Sequence, residues 1–213
     1  MAVAASGLLA ACETPTKTAP AAVIAAPQSK ADTWQSVASE ADVVKIDRLG
    51  SAWAEGLNAA RKGNFKTALD EEKALLTQNA AKARPAPTPG SYKCRLVTLG
   101  STAKGEKAFE RYSPFFCYVE VEGDLFTIVK QTGSQRPAGR LWEDDDPTRL
   151  VFLGTLALGN EEDVRAYGDD PRRDMAGVFE RIAPFRWRLV IPYPQDGAKL
   201  DVFELTPVAE QPK

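Results

Sequence analysis

The sequence predicts an α+β fold: an N-terminal helical hairpin packed on a small, roughly eight-stranded antiparallel β-barrel or strongly curved meander sheet. Three observations carry that reading. Apolar residues recur at spacings of three and four up to about residue 78. From Ser91 onward the pattern changes to period two. The strand-like runs that follow are joined by mostly short links with no helix between them, as in an antiparallel meander that closes or nearly closes.

The folded part is expected to begin near Asp32. Ser39-Glu40-Ala41-Asp42 has the form of a capping box, with Asp standing where Glu is usual. Ile46, Leu49, Trp53, Leu57 and Ala60 then share one helical face, and Gly63 is placed to close the helix as a C-cap. Phe65, Ala68, Leu69, Leu75 and Leu76 extend a second helix to about Gln78. The hairpin thus spans 32–79 and has an apolar face to cover. Pro85, Pro87 and Pro89 mark 80–90 as a stiff linker or strap.

The β region spans 91–207. Tyr92, Cys94 and Leu96 alternate with polar residues, and Phe115, Cys117, Val119 and Val121 form one face of the next strand. Glu122-Gly123 predicts a tight hairpin into 125–130. Further strands are expected at 139–143, 149–156, 175–182, 185–191 and 200–206, with Ala183-Pro184 turning the penultimate hairpin. The run at 149–156 is apolar on both faces, which marks it as the strand onto which the helices dock. Residues 208–213 read as a disordered tail.

Composition narrows the function classes. The chain has 213 residues, 44% hydrophobic and 26% charged, ordinary values for a globular protein. A formal net charge of -2 gives no electrostatic case for nucleic acid. There is no histidine, which removes Ser-His-Asp and Cys-His catalysis and every His-containing zinc site. Three cysteines are too few for a four-thiolate site. No catalytic residue, metal ligand or cofactor is nominated, and the chain is read as non-enzymatic.

Near the N-terminus, Leu9-Ala10-Ala11-Cys12 ends an apolar run and is followed by polar, Pro-bearing sequence. It resembles the lipobox of bacterial lipoprotein precursors, in which the signal peptide is cut before a cysteine that is then lipidated. Residues 1–11 are accordingly read as a signal peptide, an incomplete one because no Lys or Arg opens it. Residues 12–31 are read as a disordered tether with its lipid on Cys12. By the same resemblance Glu13 implies sorting to the outer membrane, facing the periplasm. The membrane, reached through that anchor, is then one partner. Such an address permits disulfides. Cys94 and Cys117 remain, each in an apparent strand, and a bond between them is expected; the alternative is two buried free thiols.

The stretches 89–95, 132–140, 150–155, 174–182 and 186–192 (PGSYKCR, TGSQRPAGR, LVFLGT, DMAGVFERI and RWRLVIP) together resemble an uncharacterised bacterial family, domain of unknown function 4893. The resemblance runs from about Trp34 to Pro207. It implies an envelope protein and brings no activity, substrate or catalytic residue with it. A weaker likeness, at the level of fold alone, is to small disulfide-bearing barrels such as lipocalins and secreted metalloprotease inhibitors.

Candidate binding residues come from two places. The loop 133–140 holds Gln135, Arg136 and Arg140 beside glycines, a set suited to a small anionic ligand or the chain end of an envelope protein. The alternative is a turn whose arginines pair with nearby acids. Glu180 is the second candidate: with Ala183-Pro184 as the turn it lies opposite Trp187 and faces inward, with Lys130 or Arg140 as its partner, whereas a one-residue slip sends it outward. The acidic runs 143–146 and 169–170 lack the alternating spacing of a calcium loop and read as turns. Trp34, Trp53, Trp142 and Trp187 read as packing residues. Three function classes remain: a binding or structural module for a small ligand or protein partner, a periplasmic peptidase inhibitor, and a carboxylate-dependent hydrolase of envelope polymers, for which the sequence nominates no acid pair.

Overall fold

The computed structural model describes residues 1, 29–101, 106–131, 135–158, 161 and 165–209. Cys12, residues 2–28 and residues 132–134 lie outside the described residues, as does the side chain of Gln135.

Four helices lead the fold: α1 (Lys30–Gln35), α2 (Glu40–Asp47), α3 (Leu49–Lys62) and α4 (Lys66–Glu72), the last followed by a 3-10 turn over Lys73–Leu76. The full capping box sits at Ser29. Its hydroxyl accepts from the Asp32 N–H at 3.1 Å, and the Asp32 carboxylate accepts from the Ser29 N–H at 2.9 Å. At Ser39 only half of the expected box forms. The hydroxyl takes the Asp42 N–H, while the Asp42 carboxylate is drawn to Lys45 and Tyr167. The single helix expected over this stretch breaks at Arg48 into α2 and α3. Gly63 does close α3, but with φ -78; the left-handed residue is the next one, Asn64, at φ 66.

Nine strands follow: β1 (Gly90–Leu99), β2 (Phe109–Arg111), β3 (Phe115–Glu122), β4 (Leu125–Lys130), β5 (Gln135–Glu143), β6 (Arg149–Leu158), β7 (Asp174–Ala183), β8 (Arg186–Pro192) and β9 (Leu200–Pro207). Eight of them form a closed antiparallel barrel, because β1 pairs with β9 as well as with β3. Closure gives each barrel strand a neighbour on both sides. The extra strand β2 lies along the C-terminal part of β1, in line with β3. The two are one strand broken at Ser113-Pro114, where proline has no N–H to give.

The β3–β4 turn is centred on Gly123-Asp124, with Gly123 at φ +62. The β7–β8 turn departs from expectation. Its central residues are Pro184-Phe185, and a bulge lies between Arg181 and Ala183. Arg181 therefore pairs with Trp187, and Glu180 pairs with Arg188 on the outer wall.

Two apolar layers result. Tyr92, Cys94, Phe152, Phe179, Leu189 and Leu205 are among the residues that fill the barrel. Val97, Leu99, Val151, Leu153, Val178 and Val202 face outward under the helices with Trp34, Ile46, Trp53 and Leu75. β6 thus buries Leu150 and Phe152 inside and Val151 and Leu153 outside, as its two-faced pattern requires. α3 packs on β1, β8 and β9 through Ala52, Trp53, Gly56 and Ala60. The approach is close: a Cβ on Gly56 would lie 3.0 Å from the Cβ of Leu99. Inside the barrel, a Cys94–Cys117 disulfide joins β1 to β3.

The Pro-rich segment is a strap across one end of the barrel. Trp187 donates its indole N–H to the Pro85 carbonyl at 2.9 Å, and the Tyr92 hydroxyl donates to the Thr88 carbonyl at 2.5 Å. The Lys82 N–H donates to the Arg181 carbonyl at 2.8 Å. Pro85 and Pro87 are buried.

Candidate functional site

The opposite end of the barrel is open. Strand alternation places Leu96, Phe115, Lys130, Leu156, Met175, Ile191, Asp201 and Phe203 on the inner face near that end. They border a cavity of about 790 Å³ that opens to solvent. This lies in the size range of small-molecule sites. Tyr112, Tyr193 and Lys45 of α2 reach its rim.

Two glycines lie just below the cavity wall. Gly139 and Gly154 face each other across β5 and β6, one inward position below Pro137 and Leu156, which line the cavity. A Cβ on Gly154 would lie 2.5 Å from the Phe152 ring and 2.4 Å from the Ala138 carbonyl oxygen. The Phe152 ring occupies the space that side chains at 139 and 154 would need. The ring thereby fills the barrel interior at that level.

The polar groups at the cavity differ in how they are engaged. Arg173 binds Glu161 at 2.7 Å and Lys45 binds Asp42 at 2.8 Å. Asp174 accepts from the Gly168 N–H and Asp196 from the Ala198 N–H. Asp201 is 5% exposed and accepts from the Thr98 hydroxyl at 2.6 Å. Burial, with some repulsion from Asp196, pushes its carboxyl up to about 7 against the Thr98 hydrogen bond. Lys130 is different. Its Nζ lies 4.3 Å over the Phe115 ring, and among the described residues no carboxylate reaches ion-pair distance. Burial alone lowers its ammonium below the ordinary value.

The residues nominated from sequence are placed elsewhere, and Gln135, Arg136 and Arg140 belong to strand β5 rather than to a loop. Arg136 donates to the Glu161 carbonyl beside the mouth. Arg140 is on the outer wall, paired with Glu122 at 2.7 Å, and borders a shallower groove of about 380 Å³ with Trp142 and Arg165. Glu180 faces outward and binds Arg188 at 2.6 Å. Of Gln135 the structure gives the backbone, which pairs with Leu158. Arg136, Arg140 and Glu180 do not converge, and none lines the barrel cavity. Two of the charged residues that do, Lys130 and Asp201, carried a signal. Lys130 continues the inward alternation Phe126, Ile128, and Asp201 opens the alternation with Phe203 and Leu205.

The acidic turns serve the scaffold. Asp144 accepts from the Trp34 indole at 3.1 Å and from Arg149 at 2.5 Å, and Asp170 accepts from Arg172 at 3.1 Å. Among the described residues no group of three or more His, Cys, Asp or Glu side chains is arranged to hold a metal ion. No helix among them is long and apolar enough to cross a membrane.

The family model for Domain of unknown function (DUF4893) matches residues 34–205. The chain belongs to that family. The match begins at Trp34, in the first helix, and ends in β9, so it takes in the helices, the strap and the whole barrel as one unit. No curated protein and no solved structure matches the chain.

Proposed function

We propose that this DUF4893 chain is a non-catalytic binding barrel of the bacterial envelope, which takes a small, largely apolar molecule through its open mouth. The observation that carries the reading is the contrast between the two ends. One is plugged by the strap and by Tyr92, Phe179 and Trp187. The other holds a cavity of about 790 Å³ walled mostly by apolar side chains. The carboxylates at that cavity are each hydrogen-bonded within the fold, which favours binding over acid–base chemistry. The lipobox-like segment supports a lipid on Cys12 and an outer-membrane, periplasm-facing location. The disulfide fits such an oxidising compartment.

The test is native mass spectrometry of the chain from Ser29 onward, recovered from a bacterial periplasm. Extra mass that leaves on denaturation is expected, and its identification names the ligand. A bare mass, together with no uptake of a neutral apolar fluorophore, overturns the reading and directs the search to protein partners.

A further inference from the structure

We infer that the molecule held in the barrel is a long-chain carboxylate, with its head group on the Lys130 ammonium and its chain between Phe115, Leu156, Met175, Ile191 and Phe203. This rests on the binding-barrel reading and specifies its ligand. The argument starts from the cations that border the cavity. Arg173 and Lys45 are neutralised by Glu161 and Asp42. Lys130 alone among these has an aromatic face for company and no described carboxylate in reach. Register fixes its direction: it pairs with Cys117, whose sulfur is inside the barrel, so the Lys130 side chain projects inward too. A half-buried ammonium on an apolar wall lacks part of its hydration, and an incoming anion restores the lost interaction.

The charge count favours a monoanion. A phosphate dianion is held by several cations or by the planar fork of arginine. Here one lysine lacks a carboxylate partner among the described residues, and the cavity also carries Asp174, Asp196 and Asp201. A second negative charge would meet those carboxylates without a second cation to offset them. Deeper in, Leu156, Met175, Ile191 and Phe203 offer apolar carbon. A polar body fits poorly there; an aliphatic chain fits well.

The experiment titrates the full chain with cis-parinaric acid, its methyl ester and the neutral fluorophore N-phenyl-1-naphthylamine. It is repeated for Lys130→Met and Lys130→Arg. The wild type is expected to bind the acid about tenfold or more tightly than the ester, the loss typical of one charge-assisted hydrogen bond. Lys130→Met removes that preference, Lys130→Arg retains most of it, and the neutral fluorophore binds all three alike. Equal affinity of the wild type for acid and ester overturns the head-group assignment and needs no variant to fold. An alkyl phosphate that displaces the fluorophore better than the matching carboxylate overturns the monoanion. If neither neutral compound enters the wild type, the binding-barrel reading itself fails and this assignment falls with it.

Discussion

Arg188 and Glu180 form an ion pair on the outer wall of the barrel, 2.6 Å between Nε and Oε2, with the arginine fully buried beneath the helices. The rest of the guanidinium is spent on the chain that leads out of the helices. Nη1 donates to the carbonyls of Leu75 and Thr77 at 2.9 and 2.8 Å, and Nη2 to that of Gln78 at 2.7 Å. The Trp53 ring lies 4.8 Å from its centre. One side chain thus fastens the 3-10 turn, α3 and β7 to β8.

Arg188→Met is therefore expected to destabilise the fold by about 3–5 kcal/mol, because it leaves Glu180 charged and buried and several carbonyls without donors. Glu180→Gln should cost less, since the amide oxygen still accepts from Nε and the carbonyls still hold the guanidinium. Urea unfolding followed by tryptophan fluorescence measures both. Equal, small losses would mean that the helices are held by apolar contact alone.

The barrel was legible in the sequence because a half-buried strand must alternate, and every strand of the closed barrel does so or is apolar on both faces. β2 was not, because three residues carry no period. Glu180 shows where pattern stops. Its face depends on the bulge between Arg181 and Ala183, a one-residue feature that no periodicity marks, and the shift exchanges Trp187 for Arg188 as its partner. The cavity was hidden for a different reason. It depends on which inward side chains of separate strands meet at the open end, and such pairings become visible only when the register is known. Arg136 and Arg140 drew notice because they cluster in sequence, yet both lie in β5 and go to separate partners, the Glu161 carbonyl and Glu122.

Asp201 gives the fold a pH dependence of definite sign. Its ordinary value is 3.8, and burial raises it to about 7 in the folded chain. Between those values the native state binds more protons than the unfolded state. Stability from this group therefore falls as pH rises through that window and levels off above it. Asp201→Asn keeps an acceptor for the Thr98 hydroxyl and removes the charge. Its melting temperature should match the wild type near pH 4 and exceed it by a growing margin toward pH 8. Parallel pH profiles would show that the carboxylate is solvated from the cavity.

Gly154→Ala tests how closely β5 and β6 pack over the Phe152 ring. The added methyl meets backbone, the Ala138 carbonyl oxygen at 2.4 Å, as well as the Phe152 ring. A loss of about 1–3 kcal/mol is expected, as for an overpacked core. A ring displaced toward the open end should also weaken uptake of the neutral fluorophore. Gly123→Asn is the control. Its backbone is at φ +62 with nothing within 4 Å, so asparagine is tolerated there and uptake is unchanged.

The Cys94–Cys117 bond staples β1 to β3 across a sequence separation of 23 residues. That is the part of the barrel wall where β2 and β3 are separated by Ser113-Pro114, so the ladder beside β1 is discontinuous. Removing the bond by Cys94→Ala with Cys117→Ala should cost about 3 kcal/mol, the loop-closure value for a loop of this size. Both cysteines are buried, so a reductant acts only after the wall opens. The double variant should thus unfold at a lower urea concentration at once, while the wild type reaches the same midpoint only after long incubation with dithiothreitol. A midpoint unchanged by either treatment would mean that the β1–β9 pairing, eight residues long, closes the barrel without the staple.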